Sequence, residues 1–544
     1  MKNNKHLIFI LFLAIFCAVL YGYRMASIGL SDPDETFYAE TAREMLQFKS
    51  FMTPYIFDKP QFEKPPMFYW LIILASLSKG INEFAVRFVP ALFGIIGVIS
   101  IYFLGNSMFN RKTAMYAAFI LATNFLYLGL SRCALTDIVF TAFVLLSLLF
   151  FYLGYRDEKR RRINLYFFFL SCALATLTKG PLGILIPVFT ILPFLIFARD
   201  IKFLKQIPWF WGILIFVLVA VPLYAIMAVK HKEFLKDFFY YENTRRFFIA
   251  EHRSSNRWYF YPSVILGSTF PWNILLPLIF VSKEATHKKA MLFLKCWFWV
   301  PLIFFTAAQS KLSSYILPLY PAICLGLARA ITRIEESASS EIRLKIGKAI
   351  STLLALIFLS GFIVSLFFLR SNFPAFFQTH LLAVIIVCLG IISAMVFLWK
   401  GKYKLTVIFE ATTVLLFIVI LMSRIWIAEG AFSDKDLPGI IKQNSDNLSE
   451  EIVCSKIYAR GVYFYTHKKV VVINNEKKAF FRPHPIEVIS SETEIKDYFK
   501  TGKAVLCVVD KQCLERINSL IPARKNKVLY ENFDRIVVIS NPIQ

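Results

Sequence analysis

Asp32, Asp34 and Glu35 fall within four residues of one another in SDPDE, directly after the first long apolar run. Further along, Glu63 and Lys64 adjoin in QFEKPP, Arg132 and Asp137 frame SRCALTD, and Lys179 sits in TLTKGP. Asn243, Arg245 and Arg246 follow in YENTRRFF (241–248), and Lys311 and Tyr315 in QSKLSSYILP. A carboxylate such as Asp34 or Asp137 can accept the proton of an attacking hydroxyl, or orient an anionic nucleophile or a divalent cation. Several Lys and Arg can hold a monophosphate or diphosphate and stabilise charge on a departing phosphate.

Each of these groups also has a structural reading. In SDPDE, Asp32 can be the N-cap, Pro33 the first helical residue and Glu35 the capping-box partner, which leaves Asp34 as the surplus acid or an ordinary first-turn acid. Asp137 can pair with Arg132 on the preceding turn. Lys64 and Lys179 can be interfacial anchors whose stems lie along apolar surface while their ammonium groups reach water.

The elements that must position these groups are set by composition. Of 544 residues, 57% are hydrophobic and 18% charged, with 57 Phe and 24 Tyr, and the mean hydropathy is +0.58. Such a chain is a polytopic membrane protein rather than a soluble enzyme. Its net charge of +25 resides mainly in short loops, where cytoplasmic retention and anionic lipid account for it, so nucleic acid is not implied. Nine cysteines form no CxxC pair, and the pattern leaves room for one bridge among Cys454, Cys507 and Cys513. The first segment, 6–23, lacks a small-residue cleavage site and reads as an uncleaved helix.

Thirteen apolar runs read as spans: 6–23, 84–105, 113–130, 135–154, 164–178, 180–197, 207–228, 261–281, 290–308, 313–331, 347–369, 377–399 and 405–426. The shorter run 65–77 reads as a re-entrant or interfacial helix. With a cytoplasmic N-terminus, every inner connection is basic, from Arg111 and Lys112 through YRDEKRRR (155–162) and Lys283 to Lys400, Lys402 and Lys404. The same threading places all the candidate groups named above on the outer side, with the pieces 24–83, 229–260 and the tail. Lys230, Lys232, Lys236, Arg253 and Arg257 add to the outer cationic excess, which points to lipid headgroups or substrate phosphates.

In the first outer piece, Phe37, Tyr38, Thr41, Ala42, Met45 and Phe48 alternate with Glu40, Arg43, Glu44 and Gln47 at helical spacing, predicting an interfacial helix. The expected division is a membrane domain over 1–427 and a soluble α/β domain over 428–544. In the latter, EEIVCSKIY, KKVVVINN, KAVLCVVD and RIVVISN read as strands and ETEIKDYFK and KQCLERINSL as helices.

The stretches LSDPDETFYAETAREML, FEKPP, RCALTD, LATLTKGP, ENTRRF and SKLSSYILPLYP, in this order over about residues 1–330, resemble bacterial integral-membrane (GT-C type) glycosyltransferases. That family is related to protein O-mannosyltransferases, and the lipid A aminoarabinose transferases are the subgroup most similar. The resemblance implies a bacterial inner-membrane protein with its active site and C-terminal domain on the periplasmic face. It also implies an undecaprenyl- or other polyprenyl-phosphate sugar donor and inverting transfer without a nucleotide, onto lipid A, another glycan or protein. By position, Asp34 matches the catalytic carboxylate and Asp137 the second loop acid. Glu63, Lys64, Lys179, Arg245 or Arg246, and Tyr315 match donor-phosphate residues, with Glu35, Arg132, Asn243 and Lys311 in support. A divalent cation at Asp34 and Asp137 stays open. Phe37 stands where the subgroup carries Arg, Gln61 where it carries Tyr, and Asn243 where a His often stands, which leaves sugar and acceptor undetermined. A secondary transporter, which would show inverted halves and interrupted midplane helices, and a periplasmic glycan polymerase or ligase are the rival readings.

Overall fold

The computed structural model describes residues 2–249, 256–282, 286–336, 341–372, 374, 377–443, 448–474, 486–500, 503–522, 524–532 and 534–542. Lys283 and Arg253 lie outside the described residues. The chain divides into two compact units. One, the membrane unit, comprises Met1–Arg24, Phe62–Phe68 and Phe88–Arg424; the other comprises Met25–Gln61, Tyr69–Arg87 and Ile425–Gln544.

The first ten helices are α1 (Lys2–Gly22), α2 (Asp34–Gln47), α3 (Met67–Ser76), α4 (Glu83–Met108), α5 (Arg111–Ala122), α6 (Phe125–Arg132), α7 (Thr136–Arg156), α8 (Arg161–Lys179), α9 (Leu182–Phe197) and α10 (Trp209–Lys230). Longer apolar helices follow at Lys288–Ala307, Tyr320–Glu336, Glu341–Asn372, Phe377–Trp399 and Tyr403–Ser423. A helix or bent helix pair meets each of the thirteen apolar runs, but the expected count of thirteen full spans is too high. Nine helices among the described residues are long and apolar enough to cross a membrane, or eleven with two bent pairs counted as one span each. The pairs α5–α6 and Phe260–Ser268 with Trp272–Val281 bend by 59° and 104°. Of the two runs that drop out, α9 has 16 residues, about 24 Å of helix against about 30 Å of hydrocarbon. The other, α8, is diluted by Arg161, Arg162 and Asn164 at one end and Lys179 at the other. The run at 65–77 forms the ten-residue α3, too short to span.

The turn between α8 and α9 depends on two glycines. Gly180 closes α8 at φ +76°, a conformation that side chains with a Cβ rarely adopt. A Cβ on Gly183 would come within 2.3 Å of the Thr176 backbone nitrogen, so α9 can fold back closely only because that atom is missing. At the other end of the molecule's sequence, Arg132 donates to the carbonyls of Leu20, Tyr21 and Tyr23 at 2.8–3.0 Å. It therefore caps α1.

In the second unit, a six-stranded sheet runs β5-β4-β3-β6-β8-β7, with β3 (Leu448–Ser455), β4 (Val470–Ile473), β5 (Glu487–Ile489), β6 (Ala504–Val509), β7 (Arg524–Asn532) and β8 (Arg535–Pro542). β3 to β6 pair in parallel, while β8 and β7 are antiparallel. Alternate residues feed two apolar layers: Ile452, Cys454, Val470, Val472 and Leu506 on one face, and Val453, Val471, Val505 and Cys507 on the other. All nine cysteines are free. Cys454 belongs to the opposite layer from Cys507 and Cys513. The helix Lys511–Leu520 starts on Asp510, whose carboxylate accepts the Cys513 N–H at 2.8 Å.

Helix α2 departs from the interfacial expectation. Glu35, Thr36, Phe37, Tyr38, Glu40, Thr41, Ala42, Glu44 and Met45 are all buried, so its three glutamates face protein rather than water. Nor does Asp32 cap it: Pro33 occupies the cap position, and no side chain closes the end. Asp32 instead pairs with Arg535 at 3.0 Å, in a niche that exists because Gly461 has no Cβ to meet its carboxylate oxygens at 2.3 Å. Arg535 reaches Asp434 as well, at 3.4 Å. Burial and the neighbouring Asp434 charge push the Asp32 carboxyl well above the usual range.

Glu44 accepts from the Phe57 and Asp58 amides at 2.7 and 3.0 Å, anchoring the hairpin of β1 (Tyr55–Ile56) and β2 (Lys59–Pro60) to α2. Burial, followed by the Glu40 charge, raises its carboxyl from 4.5 to about 8. A raised carboxyl stabilises the fold fully below the unfolded value and loses that contribution as pH rises through the folded one. The unfolding temperature of the purified chain is therefore expected to fall between about pH 5 and pH 8, and Glu44→Gln should flatten that slope. An unchanged slope in the variant would remove Glu44 from the account.

Candidate functional site

The local folding of the membrane unit brings two cation–carboxylate pairs to one cavity. α7 and α8 form an antiparallel hairpin, which sets the first turn of one beside the last turn of the other. Asp137 lies in that first turn and Lys179 is the final residue of α8. Lys179 Nζ meets Asp137 Oδ1 at 2.5 Å, and both side chains are about nine-tenths buried. Ser314 hydrogen-bonds the same carboxylate. The Lys179 ammonium also lies 4.9 Å from the centre of the Tyr315 ring and 5.6 Å from that of Phe140, so aromatic faces share its charge.

The second pair joins the segment 62–68 to the π-helical turn Lys236–Arg245. Lys64 Nζ lies 3.3 Å from Glu242 Oε2, with Glu242 nearly fully buried. The segment is held in place by Phe62, whose ring packs against His231 and Phe234 at 5.2 and 5.6 Å between centres.

Glu63, Lys64, Lys179, Glu242 and Tyr315 line a cavity of about 430 Å³ whose remaining wall is mainly Phe, Leu and Pro. A cavity of this kind offers two ammonium groups at one end of an apolar volume, an arrangement suited to an anionic head carried on hydrocarbon. Arg245 stacks over Tyr241 at 5.4 Å. The side chains of Asn243 and Arg246 fall outside the described residues. Lys311 is buried and donates to Asn256 Oδ1 at 2.9 Å; burial lowers its ammonium below the ordinary value.

Asp34 and Glu35 lie in the other unit. Asp34 is the first residue of α2 and is exposed. Glu35 is bound by Arg87, with Nε to Oε1 at 2.9 Å and Nη2 to Oε2 at 2.5 Å. The remaining Arg87 donors reach the carbonyls of Met25, Ile28 and Gly29, so all five of its N–H groups are used. The Ser31 amide and hydroxyl also donate to Glu35, both at 2.9 Å. Glu35 thus fixes the loop before α2. Phe37 lies under the Arg460 guanidinium, 4.5 Å from ring centre to carbon, and Gln61 donates to the Tyr69 hydroxyl at 2.9 Å.

Sequence reasoning singled out Lys64 and Lys179 without their partners. The Asp137–Arg132 alternative is replaced by Asp137–Lys179, and the anchoring alternative for the two lysines by buried pairing. Glu242 was missed, although a glutamate inside an apolar aromatic stretch is itself a signal of a buried partner. Among the described residues no three His, Cys, Asp or Glu side chains converge as a metal site, and the cation facing Asp137 is Lys179.

Residues 6–236 match the family described as dolichyl-phosphate-mannose-protein mannosyltransferase. The chain is 33% identical over 354 residues to the undecaprenyl phosphate-alpha-4-amino-4-deoxy-L-arabinose arabinosyl transferase of Photorhabdus laumondii, covering 63% of each chain. It is 31% identical over 339 residues to a second such transferase, from Proteus mirabilis, covering 60% of each. The matched part thus spans less than two thirds of these curated relatives. The fold is that of ArnT from Cupriavidus metallidurans, solved bound to undecaprenyl phosphate, with a TM-score of 0.80 over 98% of both chains at 20% identity.

Removing one partner of the Asp137–Lys179 pair leaves a buried charge alone. Asp137→Asn or Lys179→Met is expected to cost about 3–5 kcal/mol, read as a lower unfolding temperature in detergent. The double variant should recover most of the loss; two additive losses would show that the groups do not act as a pair.

Proposed function

We propose that this chain, a membrane-embedded relative of the aminoarabinose transferases with the GT-C fold, transfers a sugar from a polyprenyl-phosphate carrier to an acceptor hydroxyl. The observation that carries this reading is the cavity in which Lys64 and Lys179 stand at the polar end of an aromatic and aliphatic volume. The ammonium groups suit the carrier phosphate and the apolar walls its hydrocarbon. The activity for which those relatives are named, that of an undecaprenyl phosphate-aminoarabinose arabinosyl transferase, supports the same donor class.

In the proposed reaction, the acceptor hydroxyl attacks the anomeric carbon from the face opposite the phosphate, giving inversion. Its proton passes to the Asp34 carboxylate. The bond between the anomeric carbon and phosphate oxygen breaks, and the electron pair leaves with the polyprenyl phosphate, whose added charge Lys64, Lys179 and Arg245 or Arg246 offset. Glu63 and Tyr315 complete the donor pocket, while Glu242 and Asp137 hold the two lysines extended. Glu35 acts on Asp34 through the Arg87-bound loop.

In this reading the chain is a bacterial inner-membrane protein, with the cavity and the α/β domain of 428–544 at the periplasmic face. Lipid A, another glycan and protein are the acceptor classes. The sugar is a hexose, a uronic acid or an amino sugar. Phe37 stands where the subgroup resemblance calls for Arg, yet Arg460 brings a guanidinium against that ring, so the local charge is supplied from another element.

Purified chain incubated with polyprenyl-phosphate sugars and these acceptors should transfer sugar, with a loss of about 10²–10⁴-fold in rate for Asp34→Asn. Undiminished transfer by the variant would sink the role of Asp34. Failure of the wild type with every donor would sink the reaction class.

A further inference from the structure

A second cavity in the membrane unit has the opposite electrostatic character. It encloses about 300 Å³ and is lined almost wholly by apolar side chains, including Phe270, Phe358, Phe362 and Val414, with Glu410 and His380 as its ionisable groups. It lies where both bent helix pairs break. The Phe125 N–H at the start of α6 donates to the Phe270 carbonyl at 3.0 Å, which ties the two breaks together. Irregular backbone at membrane depth is tolerated where it is buried in protein or lines a cavity.

Glu410 sits eight residues into the helix Tyr403–Ser423, fully buried, and neither carboxyl oxygen has a hydrogen-bond partner among the described residues. Thr413, one turn on, is seated against the backbone of Gly390, where an added Cβ would come within 2.2 Å of its hydroxyl. The helix cannot readily turn to carry Glu410 elsewhere. His380 is engaged by its Nε2 with the Ser365 hydroxyl at 2.9 Å. An unpartnered carboxyl inside the bilayer is costly to keep and marks a functional position. Water would find too few polar partners on these walls to be well held.

We propose that this cavity binds an amphiphile with a primary ammonium head and a hydrocarbon body, the ammonium pairing with Glu410. The volume is that of a small ligand site. An anionic head is disfavoured because no lysine or arginine among the described residues lines the cavity, in contrast to the Lys64 and Lys179 site. The ligand is therefore distinct in charge from the proposed sugar carrier, and the inference stands independently of the transfer reaction.

The test uses the full chain in maltoside detergent, with dodecylamine, dodecanol and dodecyl phosphate as probes. Binding is read by native mass spectrometry and by the shift in unfolding temperature. Dodecylamine is expected to bind saturably, with dodecanol weaker by about tenfold or more; dodecyl phosphate, which suits the Lys64 and Lys179 cavity, is expected to bind equally well to the wild type and to the variants below. Glu410→Gln should reduce dodecylamine affinity by a similar factor, and Val414→Phe, which fills the cavity and leaves the carboxyl in place, should abolish it. The Val414 variant decides the matter if Glu410→Gln does not fold. Equal binding of dodecylamine and dodecanol, dodecyl phosphate binding lost together with that of dodecylamine in the variants, or dodecylamine affinity unchanged in the variants that fold, would overturn the proposal.

Discussion

A charge inside the membrane must have its counter-charge within reach, and the pairing of Lys179 with Asp137 meets that constraint at the centre of the proposed site. Neither side chain is tolerable alone at this burial. Meeting at 2.5 Å, they require the first turn of α7 and the last turn of α8 to adjoin. This in turn requires a tight α7–α8 hairpin and a helix end closed by Gly180. The Lys64–Glu242 pair repeats the device on less regular backbone. In both cases the carboxylate fixes where the ammonium group stands.

The second unit applies the same rule to a different end. Arg87 spends every donor on Glu35 and on the carbonyls of the loop 25–29. Arg535 draws Asp32 and Asp434 together, with its guanidinium 4.5 Å over the Tyr458 ring. These contacts immobilise the residues on both sides of Asp34 while Asp34 itself stays exposed. A candidate proton acceptor on a rigid support gains from preorganisation, because little of the binding energy is needed to order it.

Much of this was legible from residue types. The β3, β4, β6 and β8 strands and the helices near 492–500 and 511–520 announced themselves by apolar alternation or by caps. β7, with the sequence RKNKVLYEN, did not, because a sheet-edge strand carries charge where a central one carries Val and Ile. The helix Ala459–Thr466 was hidden by Gly461 and by Val, Tyr, Phe and Thr, which are weak helix formers. Its glycine serves Asp32, which nothing local could reveal. Lys64 and Lys179 were found by their position beside apolar runs. Asp137 was found as an acid but not as the partner of Lys179, and Glu242 was not found, since a pair 178 residues apart leaves no trace in spacing. The helical periodicity of α2 suggested an interface, whereas its glutamates Glu35, Glu40 and Glu44 are buried against Arg43, Arg87 and backbone amides. The count of thirteen spans failed because hydrophobicity marks apolar helices without distinguishing those that cross from those that stop short or bend.

The central claim is that Lys64 and Lys179 hold a phosphate at the polar end of an apolar cavity. The direct measurement is the affinity of the purified chain for undecaprenyl phosphate, determined without any sugar or acceptor. Lys64→Met and Lys179→Met should each weaken binding by about tenfold or more, while Lys311→Met, whose ammonium is engaged by Asn256, leaves it unchanged. Equal affinity in wild type and both cavity variants would contradict the account.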